Sequence, residues 1–345
     1  MEKTRVAIIF GGRSGEHEVS LMSAKTVIDS IDKEKYDLIY IGITKQGDWK
    51  IFRGDVKFIE DGSWVNLSKD FNMGDLKDIA DFAFPIVHGP YCEDGKLQGV
   101  FEMLDIPYGG CNVLSSAIAM DKLIAKDVFK KVGLPICKHV FASGKKIEEH
   151  PEEIIREVSE VLGFPCFVKP ANMGSSVGIS KAADEESLRK ALLYAIKYDR
   201  RVIIEEFINA RELECGVIGN GDPKVSKVGE ILPSKEFYDY DAKYLDGGAS
   251  KLRIPADISE EDSETIRKIA LKAYKAIDGD GFARVDFFKD KDTGKIYINE
   301  INTIPGFTPY SMFPLVWEEA GLTKTEQIER IIELGYERYN AKNNR

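Results

Sequence analysis

The chain has 345 residues, 43% hydrophobic and 31% charged, with a formal net charge of −10. That length predicts two or three domains of an ordinary globular protein, and the acidic surplus argues against nucleic acid, whose phosphates need a basic surface. No run approaches 18 apolar residues and the opening MEKTRVAIIFGG leads straight into a strand pattern, so neither membrane span nor signal peptide is expected. Cys92, Cys111, Cys137, Cys166 and Cys215 form no C-x-x-C pair and fit reduced thiols in a cytoplasm.

In chain order, RVAIIF reads as a buried strand, followed by the loop GGRSGEHE and the helical pattern VSLMSAKTVIDSI. YDLIYIGI and FAFPIVHG are further apolar runs closed by glycine. Strands alternating with helices predict a parallel, Rossmann-like α/β domain over residues 1–110. SSAIAMDKLIAKDVFKKVG then reads as one helix stopped at Gly133. An α+β unit over 111–207 combines KHVFASG, the charged helix EEHPEEIIREVSEVLG, FPCFVKP, VGISKA and RVIIEEFI. The last unit, 208–345, holds the strands ELECGVIG and KVSKVGEILP and the tyrosine-rich SKEFYDYDAKYLDGGAS. After these come a helix opened by Ser259 with acids in its first turn and the hairpin GFARVDFF/KIYINEIN.

Two glycine-rich loops are candidates for phosphate. GGRSGEHE lacks G-x-G-x-x-G, and Glu16 and Glu18 would repel an anion, so the loop suits an amine or no ligand at all. In FVKPANMGSSVG, Lys169 ends a strand and Gly174, Ser175 and Ser176 offer N–H groups and hydroxyls; the same residues also suit a plain turn beside a solvated lysine. The C-terminal hairpin says more. Residues i and i+2 share a strand face, so Arg284 and Asp286 project together, as do Glu300 and Asn302 on the partner strand. Such an all-oxygen set suits Mg²⁺ held jointly with nucleotide phosphates, while a surface salt bridge of Arg284 with Asp286 or Glu300 is the alternative. NTIPGF would aim backbone amides into the same place. His17, His88, His139 and His150 lack ligand spacing. His88 follows an apolar strand, where α/β sheets place ligand groups, although a structural hydrogen bond fits as well. KEFYDYDAKYLDGG suits a lid that excludes water or an exposed loop, and Lys122 and Lys243 complete the set of candidate lysines.

Taken in order, GGRSGEHEVSL, HGPYCEDGKLQG, MDKL, FVKPANMGSSVG, EFYDYDAKY, GFARVDFF and NEINTIPGFTPYS closely resemble the D-alanine:D-alanine ligases of the ATP-grasp superfamily, over residues 5–335. The resemblance implies an ATP-grasp fold of mixed α/β and α+β units behind an N-terminal Rossmann-like domain. Lys122, Lys169 and Lys243 resemble the phosphate-binding lysines. Glu205, with the backbone of Phe207 and Ile208, would recognise adenine, and Glu212 the ribose. Asp286, Glu300 and Asn302 match ligands of two Mg²⁺ ions, with Mn²⁺ as a substitute. Glu16 would bind the first ammonium, with Ser175 and Tyr244 hydrogen-bonded to it, and His88 would lie near the first carboxylate. Arg284 and the N–H of Gly306 would stabilise the oxyanion, and Ser311 would take the second carboxylate. ATP and D-alanine are the implied substrates and a homodimer through the N-terminal domain the implied assembly, in the cytoplasm, for peptidoglycan synthesis. Cys92 stands where the family commonly has a glycine or another small residue, and TPYS replaces the TSHS of some members. Tyr244 favours D-alanine over D-lactate. A D-alanine:D-serine ligase is the alternative within the enzymes, and a catalytically silent nucleotide-binding regulator the alternative outside them.

Overall fold

The computed structural model describes residues 3–174, 177–232 and 251–343. The N-terminal sheet contains β1 (Thr4–Gly11), β2 (Tyr36–Ile43), β3 (Trp49–Phe52), β4 (Lys69–Asp70) and β5 (Phe82–Pro85), in the order β4-β3-β2-β1-β5. Val6 to Phe10 are fully buried, as expected of a parallel strand covered on both faces. β1 pairs in parallel with β2 and β5, but β3 and β4 run antiparallel. The sheet is therefore mixed rather than wholly parallel: residues 44–48 between β2 and β3 are too few for a crossover and close a hairpin instead.

The second sheet, of β6 (His139–Ser143), β7 (Cys166–Pro170), β8 (Ser180–Ala182) and β9 (Arg201–Glu206), is antiparallel in the order β6-β9-β7-β8. Its core is Val140, Val168 and Ile204 against Ile154, Val158, Leu188 and Leu192 of its helices. The charged helix expected here is two helices, Gly144–Glu149 and Pro151–Val161; Pro151 has no N–H to continue the first but suits the opening of the second.

β10 (Ala210–Ile218), β11 (Lys224–Leu232), β12 (Lys251–Arg253), β13 (Phe282–Asp290) and β14 (Ile296–Asn302) form the third sheet, in the order β12-β11-β10-β13-β14. The helix Glu260–Ala276 packs on it, with Ser259 Oγ accepting the Asp262 N–H at 3.1 Å. The helix expected up to Gly133 also divides in two, at Asp121, whose backbone is extended. The Asp121 carboxylate accepts the N–H groups of Leu123 and Ile124 and pairs with Arg201. This N-cap starts a new helix at Lys122. Gly133, with φ 72°, ends that helix as the sequence predicts.

Two C-terminal helices, Met312–Glu319 and Lys324–Asn343, share a core with the N-terminal sheet. Phe313, Val316, Ile328, Ile331 and Ile332 join the apolar cluster of Val6, Ile8, Phe10, Phe82 and Phe84. Gly335 permits the close approach, since a Cβ there would stand 2.5 Å from the Tyr108 carbonyl oxygen. Arg338 donates to that carbonyl at 2.7 Å, pairs with Asp280 at 2.7 Å and lies over the Tyr108 ring. Among the described residues no helix is long and apolar enough to cross a membrane.

Candidate active site

Two cavities share a wall where the three sheets approach one another. The larger, about 710 Å³, is lined by Lys169 of β7, Glu205 of β9, Phe207 and Ile208 of the link to β10, Glu212 of β10, and Asp286 and Glu300 of the hairpin. That volume suits a small-molecule ligand. Its described lining carries eight acidic and five basic side chains. Glu205 is buried, with Lys126 Nζ 2.7 Å from one oxygen and Lys169 Nζ 2.5 Å from the other. Burial alone would raise the Glu205 pKa, but the two ammonium groups pull it well below the usual carboxylate range. Burial likewise opposes the charge on Lys169, and the Glu205 carboxylate outweighs it, raising the lysine. The Phe207 ring, 39% exposed, sits 6.1 Å from that of Phe167 and gives the cavity an apolar face.

The hairpin converges as its i, i+2 spacing predicts. Arg284 lies opposite Asn302, and Asp286 opposite Glu300, with a bulge just after Asp286. Arg284 donates two bonds of 2.7 Å to Asp286, while the Asn302 amide donates to Asp286 Oδ2 at 2.9 Å. The intrachain ion pair is thus present, and Arg284 also lies 3.0 Å from Glu214. Asp286 and Glu300 supply carboxylates and Asn302 an amide, all hard oxygen donors that suit Mg²⁺. Among the described residues no group of three or more His, Cys, Asp or Glu could hold a metal ion.

Lys122 stands at the junction of the cavities. Its N–H bonds the Ala171 carbonyl, its ammonium donates to the Met173 carbonyl at 2.8 Å, and Glu300 Oε2 lies 3.3 Å away. Lys122, Met173, Gly174 and Glu300 line both cavities. The smaller, about 50 Å³, adds Glu16, His88, Glu93, Arg284, Asn302 and Gly306. Glu16 precedes the helix His17–Ser30, and a Cβ at Gly89 would come within 2.5 Å of its carboxylate. Gly89, with φ 75°, is thus constrained both by backbone and by contact.

His88 is buried with both ring nitrogens engaged. The Ile304 carbonyl, 2.8 Å from Nδ1, can only accept, so Nδ1 carries the proton; Ser23 Oγ then donates to Nε2 at 3.0 Å and accepts the Phe307 N–H at 3.1 Å. Burial pushes His88 down to about 4. The ring is a neutral strut between the first domain and the NTIPGF loop. Part of that loop is tied back to the first domain, the Ile304 N–H by Glu93 and the Phe307 N–H by Ser23, and Thr303, Ile304, Pro305 and Gly306 line the cavity. Glu93 also accepts the Gly89 N–H at 2.7 Å. Burial and then the Glu16 charge push it up to about 8, against these two bonds. Ser311 begins the helix Met312–Glu319, and its hydroxyl accepts the Thr308 N–H at 2.9 Å.

The family described as D-ala D-ala ligase N-terminus matches residues 5–111, and D-ala D-ala ligase C-terminus matches residues 128–333. The chain belongs to the D-alanine–D-alanine ligase family. A D-alanine–D-alanine ligase of Thermoanaerobacter sp. is 51% identical over 357 residues, covering 99% of both chains. One from Acetivibrio thermocellus is 48% identical, covering 98% of this chain and 97% of the relative. Among solved structures, the VanG D-Ala:D-Ser ligase from Enterococcus faecalis superposes with a TM-score of 0.87 at 37% identity, covering 97% of this chain and 100% of that one. The D-alanine–D-alanine ligase from Coxiella burnetii gives 0.86 at 33%, covering 99% and 98%. The fold of this ligase family member is accordingly the ATP-grasp fold with an N-terminal α/β domain.

Of the candidate residues, Glu16, His88, Lys122, Arg284, Glu300, Asn302 and Gly306 meet at the smaller cavity, and Lys169, Glu205, Phe207, Ile208, Glu212 and Asp286 at the larger. Ser311 lies beside Gly306, where a Cβ would stand 2.8 Å from its hydroxyl. Ser175, Lys243 and Tyr244 lie outside the described residues. Sequence reasoning missed Glu93, Glu214 and Lys126. Each carried a signal: Glu93 lies inside HGPYCEDGKLQG, Glu214 is two residues past Glu212 on one strand face, and Lys126 is one helical turn past Lys122.

Proposed function

We propose that the protein joins two D-alanine molecules to D-alanyl-D-alanine with conversion of ATP to ADP and phosphate, in the cytoplasm, for peptidoglycan synthesis. The observation that carries this reading is the shared wall of Lys122 and Glu300 between a nucleotide-sized cavity and a smaller one bordered by Glu16 and Arg284. A carboxylate of the first D-alanine attacks the γ-phosphorus to give an acylphosphate. The amine of the second then forms the C–N bond as the C–O bond to phosphate breaks.

Lys122 and Lys169 hold phosphates, with Lys243 as the third lysine. The link at Phe207 and Ile208, beside Glu205, receives adenine, and Glu212 the ribose. Asp286, Glu300 and Asn302 hold Mg²⁺, two ions or Mn²⁺ in their place, which neutralise phosphate charge. The acidic surplus of the larger cavity supports that need for cations. Glu16 binds the first ammonium, with Ser175 and Tyr244 completing its hydrogen-bonded set, and Ser311 the second carboxylate. Arg284 and the Gly306 N–H stabilise the tetrahedral oxyanion. His88, with both nitrogens engaged, positions the loop at the first carboxylate. Residues 1–110, 111–207 and 208–345 serve as the amino-acid-binding domain and the two halves of the nucleotide clamp, and the N-terminal domain pairs two subunits.

Purified protein given ATP, MgCl₂ and D-alanine should release phosphate and dipeptide in equal amounts; a folded protein that makes no dipeptide refutes the reading. The likeness to a D-Ala:D-Ser ligase supports one alternative, transfer to D-serine. At equal concentrations D-alanine should be the preferred acceptor, and a D-serine excess in the product would reverse the assignment.

A further inference from the structure

Lys126 takes no part in the roles above, yet it is among the largest fully buried side chains of the protein. It lies one turn past Lys122 on the helix Lys122–Lys131 and does not line the larger cavity. Its burial turns it away from that cavity. Its ammonium instead meets Glu205, whose other oxygen holds Lys169, a cavity residue. The Cys137 thiol beside this cluster is pushed up to about 11 by burial and carries no charge at neutral pH.

Two ammonium groups therefore share one carboxylate. These three groups carry one positive charge in excess; of the two lysines only Lys169 faces the cavity, where the Glu300 carboxylate also acts on it. Without Lys126, the Glu205–Lys169 pair would be neutral, and Glu205 would hold Lys169 as its sole counter-ion. At low dielectric both changes weaken the attraction for an anion.

We infer that Lys126 is a positioning residue for ATP: it holds Glu205 from within the protein, so that less of the Lys169 charge is neutralised by Glu205 and more of it is available to the nucleotide phosphates. The inference rests on the larger cavity being the ATP site.

The test is a double-mutant cycle on the full chain. Lys126→Met should raise the KM for ATP and the Kd for MgADP by about tenfold or more, with kcat at saturating ATP within about threefold and the KM for D-alanine within about twofold. In the Glu205→Gln background, the same substitution should change the MgADP Kd by less than about threefold, because the carboxylate through which it acts is gone. Lys126→Arg, which keeps the charge, should stay within about threefold of wild type. If Lys126→Met does not fold, Lys126→Gln takes its place in the cycle. A folded neutral variant with wild-type MgADP affinity, a fall in kcat alone, or an equal effect with and without Glu205 overturns the inference, as does a wild-type protein that binds no MgADP. A wild type that binds MgADP yet makes no dipeptide would remove the ligase reading and leave this cycle to be read on affinity alone.

Discussion

The two ends of the site solve opposite electrostatic problems. At the larger cavity, Lys126 and Lys169 flank a single carboxylate, Glu205, and hold it ionised. At the smaller, Glu93 faces Glu16, and burial with that like charge pushes Glu93 up to about 8. The first arrangement leaves a cation in excess, the second a carboxylate. Burial amplifies each surplus, so the Lys126–Glu205–Lys169 cluster is locally cationic within an otherwise acidic lining and the Glu16–Glu93 pair locally acidic, on either side of Lys122 and Glu300.

The sharpest way to break this contrast is at the shared wall. Glu300→Gln should lower turnover by roughly 10²–10³ or more with the thermal melting curve unchanged; near-normal activity would show that the two ends are not joined there. A smaller effect is expected at Glu93. Its folded pKa is raised, so its stabilising contribution is full below the ordinary carboxylate pKa near 4.5 and is lost as pH rises toward 8. Glu93→Gln, whose neutral amide mimics the protonated carboxyl but accepts only one of the Gly89 and Ile304 N–H bonds, should destabilise by no more than about 1 kcal/mol at pH 5. That gap should narrow by pH 8 in urea titrations, and a gap widening with pH would contradict the like-charge pairing. The smallest effect concerns His88: nitrogen chemical shifts should report a neutral ring protonated on Nδ1 down to about pH 5. Titration near the ordinary histidine pKa would mean that the strut between the first domain and the NTIPGF loop is not formed.

The sequence made the hairpin chemistry legible because a strand's two-residue period is local: Arg284 and Asp286 on one strand, Glu300 and Asn302 on the next, needed only their register. Lys169 at the end of β7 and the Ser259 cap were local too. The features that escaped depend on contacts between distant segments. The break at Asp121 is held by Arg201, 80 residues away. Glu93 is held by Ile304 across 211 residues, and nothing in the spacing of either segment announces the other.

The shared core of the N-terminal sheet and the last two helices has a consequence for synthesis. β1 emerges from the ribosome well before Phe313, Ile328 and Ile332, which cover its cluster. The N-terminal domain is therefore sealed only once those helices have been made, and until then Phe10, Phe82 and Phe84 lack part of their apolar cover. Domains that close on their own residues can fold as they emerge. This one stays exposed to chaperones and to self-association until its covering helices are made.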